Sequence, residues 1–75
     1  MYYRYAVARP GRLEESRFAR KQRALEYAQR ITIEKHEATR VYRQRYHADT
    51  GQCDIVLLVE YWWDGDYGLQ FQERR

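Results

Sequence analysis

The stretch CDIVLLVEYWW, Cys53 to Trp63, decides how this chain folds. It is rich in the β-branched and aromatic residues that suit a pleated surface. Asp49-Thr50-Gly51 precedes it and Asp64-Gly65-Asp66 follows it, and both are tight-turn signals. It reads as a strand. Successive side chains on a strand point to opposite faces, so the adjacent Trp62 and Trp63 cannot enter the same core. The odd positions, Cys53, Ile55, Leu57, Val59, Tyr61 and Trp63, are all apolar or aromatic. The even positions, Asp54, Val56, Leu58, Glu60, Trp62 and Asp64, are mixed. The odd set is the natural core face, which places Trp63 inside and Trp62 outside.

The neighbouring segments complete the fold. EATRVYRQRYHA, Glu37 to Ala48, reads as an extended partner, and YGLQFQ, Tyr67 to Gln72, alternates and closes a meander. Upstream, RKQRALEYAQRIT, Arg20 to Thr32, is the clearest helix. Its Ala24, Leu25, Ala28 and Ile31 share one face, and the β-branched ITI weakens its end. Tyr2 to Arg9 reads as a strand, and Pro10-Gly11 supplies turn chemistry. GRLEESRF, Gly11 to Phe18, returns as a second strand, unless the helix begins near Leu13. The expected fold is α+β over a single domain, residues 1–75. It runs as an N-terminal strand or hairpin, one helix, then a three-stranded antiparallel meander. The helix packs on one sheet face and the other stays open.

Composition limits the classes of function. The chain has 75 residues, so a modest core and modest stability are expected, which dimerisation would raise. Eight Tyr and two Trp exclude the composition of a disordered chain. Cys53 is the one cysteine, so no internal disulfide forms; in an apolar run it is expected to be buried, which suits a reducing cytoplasm. No stretch has the apolar length of a signal peptide or a membrane span, so no membrane partner is expected. Residues 1–47 hold 12 Lys and Arg against 5 Glu, a net of +7, and residues 48–75 hold 2 Arg against 6 acids, a net of −4. The two halves form a basic and an acidic side unless sheet pairing mixes them. Twelve of the 14 basic residues are Arg, whose planar fork grips phosphate or carboxylate and stacks on rings, although a codon bias towards G and C explains them equally well.

Pairing Cys53–Trp63 with the preceding strand identifies a surface. A turn over Asp49, Thr50 and Gly51, with a bulge at the glycine, sets His47 opposite Cys53. Tyr46 then stands by Asp54, Tyr42 by Leu58, and Arg40 by Glu60, all on the outer face. The same register sends Arg43 and Arg45 inward. Either they lie beyond the helix and reach water, or the register slips by one and flips every side chain. The helix-free face then carries Tyr2, Arg4, Arg40, Tyr42, Tyr46, Val56, Leu58 and Trp62. Contiguous exposed apolar patches mark interaction sites, and Trp, Tyr and Arg are enriched at binding hot spots. These eight are the candidate partner-binding residues.

The aliphatic Val56 and Leu58 favour a protein partner, either a host protein or ribonucleoprotein complex or a second copy of the chain. Aromatic residues that stack bases and arginines that hold phosphates allow nucleic acid instead. The plain alternative is that Trp62 is covered by a neighbouring strand. No catalytic residue, metal or cofactor is expected. His36 sits in the charged EKHE and is read as solvated. His47 and Cys53 facing across the hairpin permit a Cys–His pair or half a metal site, but zinc needs four ligands, and a packed His beside a buried Cys is the simpler reading. Asp64 and Asp66 are turn residues, and GQCDIVLL lacks the lysine and spacing of a phosphate loop.

The layout, with a helix reading ALEYAQRI between an N-terminal hairpin and paired strands, resembles small single-domain proteins of phages and mobile elements, anti-CRISPR inhibitors among them. That resemblance lies in the arrangement of elements. It implies a non-catalytic inhibitor whose exposed surface blocks a host nucleic-acid-handling complex.

Overall fold

The computed structural model describes residues 2–13 and 15–74, with Tyr2 described by its backbone. In chain order the elements are β1 (Tyr2–Ala8), β2 (Glu15–Phe18), α1 (Lys21–Lys35), β3 (Thr39–His47), β4 (Gln52–Asp64) and β5 (Gly68–Glu73). Among the described residues the strands form one antiparallel sheet of five, ordered β2-β1-β3-β4-β5. The α+β class stands, and Leu13–Phe18 contributes a strand rather than the start of the helix. The meander β3-β4-β5 is continuous with the N-terminal hairpin, because β1 lies beside β3.

The helix runs through Ile31-Thr32-Ile33 to Lys35, further than propensity suggests. Ile31 and Thr32 are buried against the sheet, and packing of this kind overrides the weak helix preference of β-branched residues. His36 ends it in the left-handed region, at φ 52°. Facing the helix, Val7, Val41 and Val59 line up across three strands and pack with Ala24 and Ala28. The alanines let the helix backbone come close. Two buried polar groups are paired within this layer. The Thr39 hydroxyl donates to the Ala28 carbonyl at 3.3 Å, so the Thr32 hydroxyl, 3.0 Å away, donates to Thr39. Gln29 donates to the buried Tyr61 hydroxyl at 3.0 Å.

The register of β3 with β4 corrects the sequence reading. Arg40 pairs with Glu60 and Val41 with Val59, as expected, but Tyr42 then pairs with Leu57. Leu58 is skipped. From there to the hairpin end the pairing is displaced by one, through Tyr46 opposite Cys53 and His47 opposite Gln52. The turn is accordingly one residue longer, Ala48 to Gly51, closed by the Gly51 N–H on the His47 carbonyl at 2.8 Å. Such a bulge flips the faces of all that precedes it on β4. Val59, Tyr61 and Trp63 remain on the helix side, whereas Cys53, Ile55 and Leu57 turn to the open side. Val56 therefore lies on the helix side, and Leu58 packs against the core instead of facing outward. Arg43 and Arg45 keep the helix side but stand past the end of the helix. Their neighbours there, Tyr3 and Val56, are 42% and 44% exposed.

Candidate binding face of the sheet

The face without a helix is built from residues that share a side with Tyr42. Arg4, Ala6 and Ala8 come from β1, Glu15 and Arg17 from β2, and Arg40, Tyr42, Gln44 and Tyr46 from β3. β4 adds Cys53, Ile55, Leu57, Glu60 and Trp62, and β5 adds Gln70 and Gln72. The position of Tyr2 is opposite Tyr46, on this face; its side chain lies outside the described residues. Of the eight candidates, Arg4, Arg40, Tyr42, Tyr46 and Trp62 are placed on this face, and Val56 and Leu58 are not.

The face divides into two kinds of surface. Over β2, β1 and the middle of β3 it is polar and internally bonded. The Tyr46 hydroxyl donates to the Gln44 amide oxygen at 3.2 Å, and the Gln44 amide nitrogen donates to Glu15 at 3.2 Å. Ala6, which has no side chain beyond Cβ, leaves room for that reach across β1. Arg17 lies 3.4 Å from the same Glu15 oxygen. Arg40 meets Glu60 across the strands at 3.5 Å, and Arg74 approaches Glu60 at 3.8 Å. Exposed pairs of this kind add little stability. They neutralise part of the charge on a face that carries four arginines, Arg4, Arg17, Arg40 and Arg74, against two glutamates, Glu15 and Glu60. Along β4 from Cys53 to Leu57 the surface is apolar, and Glu60 separates this strip from Trp62. Leu57 is half-buried beside Tyr42, Ile55 is 60% exposed, and Cys53 is exposed opposite Tyr46.

The two tryptophans part as expected. Trp62 is on the open face, across from Gln70, and is 38% exposed. Trp63 is on the helix side. The His36 ring stacks on it with centroids 4.3 Å apart and planes within 3°, and Gly68 lies beneath, where an added Cβ would be 3.8 Å from the ring. His36 is thus exposed but not merely solvated. Its left-handed backbone delivers the ring to Trp63.

Beyond the helix end, the other face carries a small polar group. His47 Nε2 and Asp54 Oδ2 are 2.8 Å apart, and this hydrogen bond holds the Asp54 carboxyl below its ordinary value, with charge from His47 and Arg45 acting the same way. The Arg43 guanidinium stacks 5.4 Å from the Tyr3 ring centroid, and its Nε is buried without a hydrogen-bond partner. The expected Cys53–His47 pair is not formed. The register places the two on opposite faces, and Cys53 is exposed rather than buried. Among the described residues no three His, Cys, Asp or Glu side chains cluster as metal ligands, and no helix is long and apolar enough to cross a membrane. Asp64 acts as a turn residue, accepting from the N–H groups of Asp66 at 2.8 Å and Tyr67 at 3.1 Å. The basic and acidic halves of the sequence interleave, because β3 lies against β4.

Cys53, Ile55 and Leu57 are the face residues that alternation assigned to the core. The signal in the sequence was Arg43 and Arg45 on the helix side of β3, which mark that end of the face as uncovered, so that alternation alone names no core there. No protein-family model, curated protein or solved structure matches this chain.

Proposed function

We propose that this chain is a non-catalytic binding module that engages a protein partner through the open face of its sheet. One observation carries the reading: large apolar side chains, Ile55 at 60% and Trp62 at 38% exposure, stand on a sheet face that no described element of the chain covers. Tyr42, Tyr46 and Leu57 flank Ile55, Arg40 stands at the Glu60 end of the apolar strip, and Arg4 lies one strand beyond β3, on β1. Aromatic anchors with arginine at the margin suit a protein interface. Arg17, Arg40 and Arg74 are engaged by Glu15 and Glu60, which favours protein over nucleic acid, since phosphate binding grows with the number of unneutralised cations. Steric blocking of a host nucleic-acid-handling complex, the mechanism implied by the resemblance to phage and mobile-element inhibitors, is the form of action consistent with a face that binds and performs no chemistry.

The test is capture from host lysate by wild-type protein and by the Trp62→Ala variant, each with and without nuclease. A protein retained by wild type in both conditions and lost with Trp62→Ala supports the proposal. Retention that disappears with nuclease assigns the face to nucleic acid. Identical capture by both proteins removes the face from binding.

A further inference from the structure

β4 is 13 residues long, but β5 pairs only with Val59 to Asp64. The last backbone contact on that side is the Arg74 N–H on the Leu58 carbonyl, at 2.8 Å. From Gln52 to Leu57 the strand has β3 on one side and, among the described residues, no backbone partner on the other. A row of unpaired N–H and C=O groups is a template for another strand. Proteins guard such edges by keeping them short or by placing charge, proline or a bulge on them. The edge at β2 is four residues long and carries Glu15 and Arg17, and that at β5 carries Gln70, Gln72 and Glu73. The β4 segment reads QCDIVLL, with one charge, and that carboxylate already accepts a hydrogen bond from His47. It exposes a large apolar side chain on each face, Ile55 on the open side and Val56 on the helix side, with Asp54 and Gln52 exposed beside Val56. High β-propensity, low charge and no proline are the composition of a segment that pairs with its like.

We infer that this edge pairs antiparallel with the same edge of a second copy, about a two-fold axis, to make one continuous sheet of ten strands. The occupant follows from symmetry and charge. A two-fold that joins antiparallel strands stands perpendicular to the sheet, so residues facing each other lie on the same side. Side chains alternate along the strand, so the axis must pass through a residue position and not between two. In the middle of the free segment the choices are Asp54 and Ile55. An axis at Asp54 opposes two carboxylates. An axis at Ile55 opposes Ile55 to Ile55, Asp54 to Val56 and Cys53 to Leu57, with no like charges facing. The edge is therefore complementary to itself in one register, as a closed two-fold dimer requires. Both helices then lie on one side of the joined sheet. The two open faces merge on the other, with Cys53, Ile55 and Leu57 of both copies at the seam.

The experiment is sedimentation equilibrium of the full chain with a cross-linking series. Wild type is expected at about 19 kDa, twice its 9.3 kDa. Ile55→Lys is expected at single mass with an unchanged circular dichroism spectrum. In a Cys53→Ser background, Ile55→Cys is expected to oxidise to a linked dimer, because directly opposed Cα atoms are about 4.5–5.5 Å apart, within disulfide reach. Asp54→Cys in the same background, two residues out of step with its own copy, is expected to stay unlinked. A wild type of single mass, or a dimer that survives Ile55→Lys, overturns the inference. Trp62→Ala is expected to leave the dimer intact, so this result and the capture result are read independently.

Discussion

Glu37 is held by two bonds from one arginine. Arg9 Nε and a terminal nitrogen lie 2.9 and 2.6 Å from the same carboxylate oxygen, with Arg12 at 3.8 Å from the other. The contact ties the end of β1 to the loop that leads from the helix into β3. The Arg9 hydrogen bonds hold the Glu37 carboxyl below its ordinary value of 4.5, as His47 holds Asp54 below 3.8. A carboxyl depressed in the folded state adds stability that is present above its unfolded value and lost as pH falls through its folded value. The melting temperature is therefore expected to drop on acidification below about pH 4.5, the onset set by the unfolded carboxyl range. Glu37→Gln is expected to flatten that drop, which a series of melts from pH 6 to 2 will measure. None of this pairing was legible in the sequence, since 28 positions separate Arg9 from Glu37. The division of Trp62 from Trp63 was legible, because strand alternation forces it whatever the register.

At the level of elements, the sequence marks where strands and turns lie better than how they align. β3, β4 and β5 were each readable from turn signals at Asp49–Gly51 and Asp64–Asp66. The bulge at Leu58 was not, because β4 is apolar on both faces between Ile55 and Val59 and either alternation satisfies its own pattern. The hairpin depends on Gly51, whose φ of 71° is left-handed and which has open space where a Cβ would stand. Gly51→Ala is expected to cost about 1 kcal/mol, the backbone penalty alone. Gly65 has no left-handed φ and equal space, so Gly65→Ala is expected to be neutral or to stabilise by up to about 1 kcal/mol through the unfolded state. Urea titrations of the two variants check the contrast, and equal losses would place the hairpin's constraint elsewhere.

For the whole molecule, the sequence established that a helix covers one face and that an exposed surface remains. It did not show that the polar half of that surface bonds to itself, since Gln44 reaches Glu15 only when β1 brings Ala6 between them. Nor did it show the free edge, which arises because β5 is six residues long and β4 is thirteen. A face used for binding must be one that the fold can spare, and the two adjacent tryptophans provide the comparison. The most direct measurement is the unfolding free energy of Trp62→Ala beside that of Trp63→Ala. Trp62 is 38% exposed, and Trp62→Ala is expected to lose the smaller amount, about 1–2 kcal/mol. Trp63→Ala, which strips the ring from between His36 and Gly68, is expected to lose about 2–4 kcal/mol. Equal losses, or a larger loss at Trp62, would mean that the open face holds the fold together and would contradict its assignment as the binding surface.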